Sequence, residues 1–87
     1  MFVIVEHDIS DPKNFWDKAD DVSLPADLKL HQSMPNKTGT KAVCVWEANA
    51  LEDVSRFVEQ AVGGWSKNTY FAVEAEKALG LPVSMPA

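Results

Sequence analysis

Two histidines are the residues of this chain best suited to transfer protons. An imidazole ordinarily titrates close to physiological pH, so His7 and His31 can each serve as an acid or a base. His31 lies in the middle of a strand-like segment, and His7 stands between the carboxylates Glu6 and Asp8. General acid–base catalysis needs such groups within hydrogen-bond reach of a substrate. We therefore take His31, His7 and Glu6 as the candidate catalytic residues.

Each of these residues can also be interpreted as non-catalytic. Successive side chains of a strand point to opposite faces, so Glu6 and His7 cannot both line one pocket. One of them together with His31 would form an acid–base pair. His31 equally suits an edge strand in water, and the run from Glu6 to Asp8 suits a polar strand end in solvent. Both interpretations stay open at this point.

Trp46 and Tyr70 are the candidate ligand-binding residues. Each has a large apolar ring with one polar atom, which suits a pocket for a small organic molecule. The same residue types suit a core or a subunit interface. Cys44 is the single cysteine, so no disulfide forms within the chain, and we interpret it as a small buried apolar residue.

No motif for a metal or a cofactor is present in the sequence. His7, His31 and Cys44 lack the short spacings of metal ligands. A phosphate loop, a dinucleotide fingerprint and a nucleophile elbow are likewise missing from the sequence. We expect no metal and no cofactor.

The charge distribution argues against two classes of partner. The net charge is −5, with 13 acidic residues against 8 scattered basic ones. Nucleic acids and anionic membranes would repel such a surface. No apolar run approaches the roughly 20 residues that span a bilayer, and the apolar start, residues 1–5, is too short for a signal sequence. We expect a cytoplasmic protein.

The first half of the chain predicts a strand, a helix and a hairpin. Residues 2–9 form a strand that is apolar on both faces. Asp11 and Pro12 suit the N-cap and first position of a helix that ends near Asp20. Residues 28–34 alternate, with Leu28, Leu30, Gln32 and Met34 on one face and His31 on the other. A loop containing Gly39, which can take a positive φ, leads to a strand over residues 41–47, again apolar on both faces.

The second half predicts a helix, a strand and a helical tail. Asn49 and Glu52 have the spacing of a capping box, and Gly63 suits a left-handed helix end. From Asn68 the pattern favours a strand of about five residues. One or two helical turns then follow and end at Gly80.

The element order predicts the fold. Strand, helix, strand, strand, helix, strand is the βαββαβ order of a ferredoxin-like α+β domain, here over residues 1–87 as a single domain. Right-handed crossovers put both helices on one face of a four-stranded antiparallel sheet. The other face would leave apolar residues uncovered. We expect a second copy of the chain to cover it, sheet against sheet, as a homodimer.

The chain resembles the dimeric α/β-barrel superfamily, and in particular its small, single-domain bacterial members that lack an assigned function. The resemblance rests on the opening strand, the Asp11-Pro12 helix start, the second helix, and the closing run from Asn68 to Val73 with Gly80-Leu81-Pro82. It implies a homodimer with a pocket for a small hydrophobic or aromatic molecule. It also implies two alternatives, a cofactor-independent monooxygenase or isomerase with a histidine base and a haem-handling protein. Fold alone does not choose among these functions.

Overall fold

A computed structural model describes residues 1–83 of the 87-residue chain. The elements along the chain are β1 (Phe2–Ile9), α1 (Pro12–Asp21), β2 (Lys29–Pro35), β3 (Lys41–Glu47), α2 (Leu51–Val62) and β4 (Ser66–Ala72). This is the predicted βαββαβ order, and the predicted bounds of β1 and β3 are confirmed.

The four strands form one antiparallel sheet in the order β2-β3-β1-β4. The central strand β1 has Val5 opposite Cys44 of β3 on one side and Tyr70 of β4 on the other. Val5 and Cys44 join the buried core that Phe15 of α1 and Val54 of α2 complete. Both helices therefore cover the same face of the sheet, which fits a ferredoxin-like topology. We call this the helix face and its opposite the open face.

The start of α1 confirms the prediction from Asp11 and Pro12. The Asp11 side chain accepts a hydrogen bond from the backbone N–H of Asn14, and Pro12 occupies the first turn. This satisfies one of the free N–H groups at the helix start. Phe15 then turns into the core, so the cap positions the aromatic ring that closes the helix face.

The ends of α2 differ from the prediction. Ala50, not Asn49, is the N-cap residue, and no side chain caps the helix, so the capping box is wrong. Gly63 has φ −60°, a right-handed conformation, so a left-handed end is also wrong. A Cβ at Gly63 would lie 2.4 Å from the carbonyl oxygen of Glu59. Glycine fits at position 63 because the Glu59 carbonyl oxygen lies too close for a side chain, and not because the position needs a positive φ.

A bulge in β2 overturns the predicted alternation of that strand. Leu30 pairs with Trp46 and Gln32 pairs with Val45, so His31 is an extra residue between the two pairs. One extra residue shifts every later side chain to the opposite face. Leu30 therefore lies on the helix face, whereas Gln32 and the later Met34 lie on the open face.

The segment after β4 forms less helix than predicted. β4 begins at Ser66, two residues earlier than expected. Residues 74–78 then make a single turn, with backbone bonds from Lys77 N–H to the Glu74 carbonyl and from Ala78 N–H to the Ala75 carbonyl. Gly80 follows with φ +80°. The rest of the predicted domain, residues 84–87, lies outside the described residues.

The open face carries apolar residues beside its charged ones, and the chain already covers some of them. Phe2 and Val45 point to this face and are buried. Met34, Val43 and Phe71 on the same face remain exposed. The uncovered apolar surface is thus smaller than the sequence pattern alone implies.

Neither helix could cross a membrane. α1 has 10 residues and α2 has 12, and no helix within residues 1–83 has the length and apolarity that a bilayer crossing needs.

Candidate functional site

His31 is buried on the open face beside a carboxylate. Its Nε2 lies 2.9 Å from Oε1 of Glu47, and the two side chains expose only 6% and 12% of their surface. The imidazole ring also packs against Phe2, with ring centroids 5.5 Å apart. The interpretation of His31 as an edge-strand residue in water is therefore wrong, because its ring contacts Glu47 and Phe2 on the sheet.

Glu6 lies elsewhere on the open face, in a shallow groove of about 580 Å³. Asp8 shares this groove and stands opposite Lys41 of β3 and Lys67 of β4. His31 does not line it. The acidic partner of His31 is thus Glu47, and its pairing with Glu6 stays a prediction that no contact supports.

His7 is buried on the helix face, away from His31. Its Nδ1 lies 2.6 Å from Oδ1 of Asn68, and its ring meets the edge of Phe15 at a centroid distance of 5.1 Å. Burial lowers the pKa of this imidazole, and the Asn68 hydrogen bond and the charge of Glu59 oppose that effect in part. This shift favours the neutral imidazole, and because His7 is buried, the interpretation of residues 6–8 as a polar strand end in solvent is wrong for His7.

A chain of polar side chains connects His7 to the surface of α2. Asn68 Nδ2 donates to Oε2 of Glu59 at 2.9 Å, and the Tyr70 hydroxyl donates to the same oxygen. Ser66 Oγ donates to Oδ1 of Asn68 at 2.9 Å. Burial, followed by the hydrogen bond and charge of Glu59, raises the pKa of Tyr70, so its hydroxyl stays a proton donor. Tyr70 thus holds Glu59 in place and does not line the cleft described next.

A narrow apolar cleft of about 70 Å³ lies between the two helices and the sheet. Trp46 lines it and exposes only 5% of its surface, yet its Nε1–H has no hydrogen-bond partner within residues 1–83. Buried polar atoms are nearly always paired, so this unpaired donor calls for an explanation. The other lining residues that matter here are His7, Phe15, Lys18, Ala19, Leu24 and Cys44.

Cys44 behaves as the small buried residue that the sequence predicts. Its Sγ lies 3.6 Å from Ser33 Oγ, and burial raises the pKa of the thiol. A protonated thiol is a weak nucleophile. Within residues 1–83, no group of three or more His, Cys, Asp or Glu side chains is arranged to hold a metal ion.

Comparison with known protein families, with curated proteins and with solved structures finds no match for this chain. The predicted site roles stay predictions for His31, His7, Glu6, Trp46 and Tyr70. The two alternative functions, a histidine-based enzyme and a haem-handling protein, also stay predictions.

Sequence reasoning missed three residues of these clusters: Glu47, Glu59 and Asn68. One signal was present for Asn68. Ser66, Asn68 and Tyr70 alternate along one strand, so their polar atoms share a face, and that face is the one the helices cover. Polar side chains on a covered face must find partners, and α2 supplies Glu59.

Proposed function

We propose that the protein binds a small apolar molecule carrying a hydrogen-bond acceptor, in the cleft between the helices and the sheet. The supporting observation is the buried Nε1–H of Trp46, which lacks a partner in the described chain. A buried donor left unpaired costs about 1–3 kcal/mol. A ligand oxygen that accepts this hydrogen bond would recover much of that free energy.

The size of the cleft suits the polar end of a ligand. Its volume of about 70 Å³ corresponds to about two molecules of liquid water at roughly 30 Å³ each. Lys18 and Leu24 are exposed residues of its lining, so they form its rim. The polar end would therefore lie inside against Trp46, and the apolar remainder would lie in the mouth against Leu24.

Binding is testable with cyclohexanone, which accepts a hydrogen bond but donates none. The chain has three tryptophans, and the Nε1–H of Trp16 already donates to the Gly39 carbonyl at 2.8 Å. In a ¹H–¹⁵N NMR titration, we expect the indole resonance of Trp46 to move and that of Trp65, which does not line the cleft, to stay. Trp46→Phe assigns the resonance and should weaken binding about three- to tenfold, since one hydrogen bond is lost.

A matched pair of alanine variants controls for the place of binding. Ala19 lines the cleft, whereas Ala26 is exposed in a loop and does not. Ala19→Leu should fill the mouth and abolish the titration, and Ala26→Leu should leave it intact. Equal shifts in both variants, or an unmoved Trp46 resonance in the original chain, would reject the proposed site.

We also propose that two copies pair through their open faces, as in the superfamily that the sequence resembles. Met34, Val43 and Phe71 support this, because they leave apolar surface exposed on one side of the sheet. Covering several hundred Å² at ~25 cal/mol per Å² offers about 10 kcal/mol before the cost of association. Membership of the dimeric α/β-barrel superfamily is part of this proposal.

Self-association should show in sedimentation at micromolar protein. We expect twice the monomer mass for the original chain and the monomer mass for Phe71→Lys, because a lysine would be buried without a partner. Leu24→Lys is the control, since Leu24 lines the cleft on the helix face. A monomer mass that does not change with concentration in the original chain would rule out the dimer.

A further inference from the structure

The polar chain behind His7 determines which nitrogen of its ring carries the proton. The Glu59 carboxylate, when ionised, only accepts hydrogen bonds. Asn68 therefore presents its NH₂ group to Glu59, with Nδ2 at 2.9 Å from Oε2. Its carbonyl oxygen is then left to face His7 at 2.6 Å.

This orientation makes His7 the donor in its bond with Asn68. An amide oxygen only accepts, and Oδ1 of Asn68 already accepts from the Ser66 hydroxyl. The proton of the neutral imidazole must therefore sit on Nδ1. Nε2 keeps its lone pair, and it makes no hydrogen bond to any residue of the described range. The Tyr70 hydroxyl also donates to Glu59. This bond helps to hold the carboxylate that orients Asn68.

His7 and Trp46 both line this cleft. Trp46 provides an unpaired N–H donor, and His7 provides a free acceptor nitrogen. A hydroxyl group is the smallest group that accepts one hydrogen bond and donates another. The other polar groups of the lining residues are the exposed Lys18 ammonium at the rim, the Ser33 hydroxyl, the buried Cys44 thiol that donates to it, and the Trp16 indole N–H, which donates to the Gly39 carbonyl.

We infer that the cleft selects a small alcohol or phenol, whose hydroxyl accepts from Trp46 Nε1 and donates to His7 Nε2. Asn68 and Glu59 are positioning residues for this site, since they act on the ligand only through His7. The inference rests on the proposed function and names the class of ligand that the site takes.

Cyclohexanol and cyclohexanone test the selection, because they have nearly the same size and only the alcohol donates. We expect the original chain to bind cyclohexanol about three- to tenfold more tightly, as one added hydrogen bond implies. Glu59→Gln should bring this ratio close to one, because an amide both donates and accepts and no longer orients Asn68. Glu52→Gln is the matched control, since Glu52 is exposed in the first turn of the same helix and does not line the cleft, and it should keep the preference.

A second measurement reads the proton position directly. Long-range ¹H–¹⁵N correlation spectra distinguish the two ring nitrogens, and His31→Asn separates the two histidines. We expect the proton on Nδ1 of His7 in the original chain and a mixture of both forms in Glu59→Gln. A proton on Nε2 in the original chain would overturn the inference.

The two proposals fail in different ways. If cyclohexanone binds and cyclohexanol binds no tighter, the inference is wrong and the proposed function stands. If neither compound moves the Trp46 resonance, the proposed function is wrong, and so is the proposed class of ligand.

Discussion

Replacing Phe15 with alanine should lower the free energy of unfolding by about 3–5 kcal/mol. Phe15 exposes only 3% of its surface and closes the core between α1 and the sheet. Its ring packs edge-on against His7 and Trp16, at centroid distances of 5.1 and 4.8 Å. A domain of this size has a total stability of about 5–10 kcal/mol. The substitution therefore removes a large fraction of it.

Urea denaturation followed by circular dichroism measures this loss. The matched control is Leu79→Ala, because Leu79 is 98% exposed and its truncation opens no cavity. The control should change the free energy of unfolding by less than about 0.5 kcal/mol. A loss below about 1 kcal/mol for Phe15→Ala would contradict the packing described for α1.

Replacing Gly63 with alanine should destabilise the fold by about 1–3 kcal/mol, the usual cost of overpacking. The added Cβ would lie 2.4 Å from the Glu59 carbonyl oxygen and 2.8 Å from its Oε1. The chain must shift to relieve these contacts, and the backbone bond from Gly63 N–H to that carbonyl shifts with it. Because Glu59 orients Asn68, the NMR signals of the His7 ring should also move.

Gly64→Ala is the control for this effect. A Cβ at Gly64 would have no atom within 4 Å, so alanine fits there. It should leave the stability unchanged or raise it by up to about 1 kcal/mol, since the unfolded chain loses conformational freedom. Equal losses in the two variants, measured by thermal unfolding, would show that helix termination and not close approach governs this position.

The order of elements follows from local features of the sequence. β1 and β3 are continuous apolar runs, and α1 begins where Asp11 and Pro12 can cap it. Such features act over a few residues, so the sequence alone carries them. Gly39 has φ +73° in the hairpin loop, which confirms the prediction of a positive φ there.

The predictions for both ends of α2 were wrong, because contacts with neighbouring atoms in the folded chain determine where this helix begins and ends. Gly63 is a glycine because Glu59, one helical turn earlier, comes too close for a side chain. Ala50 begins α2 with no side-chain cap, so helix formation there depends on the packing of Val54, Val58 and Val62 in the core. A capping pattern is a weak signal beside such packing.

The βαββαβ order of elements follows from the local pattern of the sequence, as do strands that are apolar on both faces with polar atoms spaced along them. The contacts that those polar atoms make follow from the packing of the folded chain. The pairing of β2 with β3 brings His31 to Glu47, and the pairing of β4 with β1 brings Asn68 to His7. The buried N–H of Trp46 has no hydrogen-bond partner among residues 1–83. Contacts between residues 16 to 61 positions apart depend on register and on the crossing of whole elements, and no local pattern in the chain encodes them.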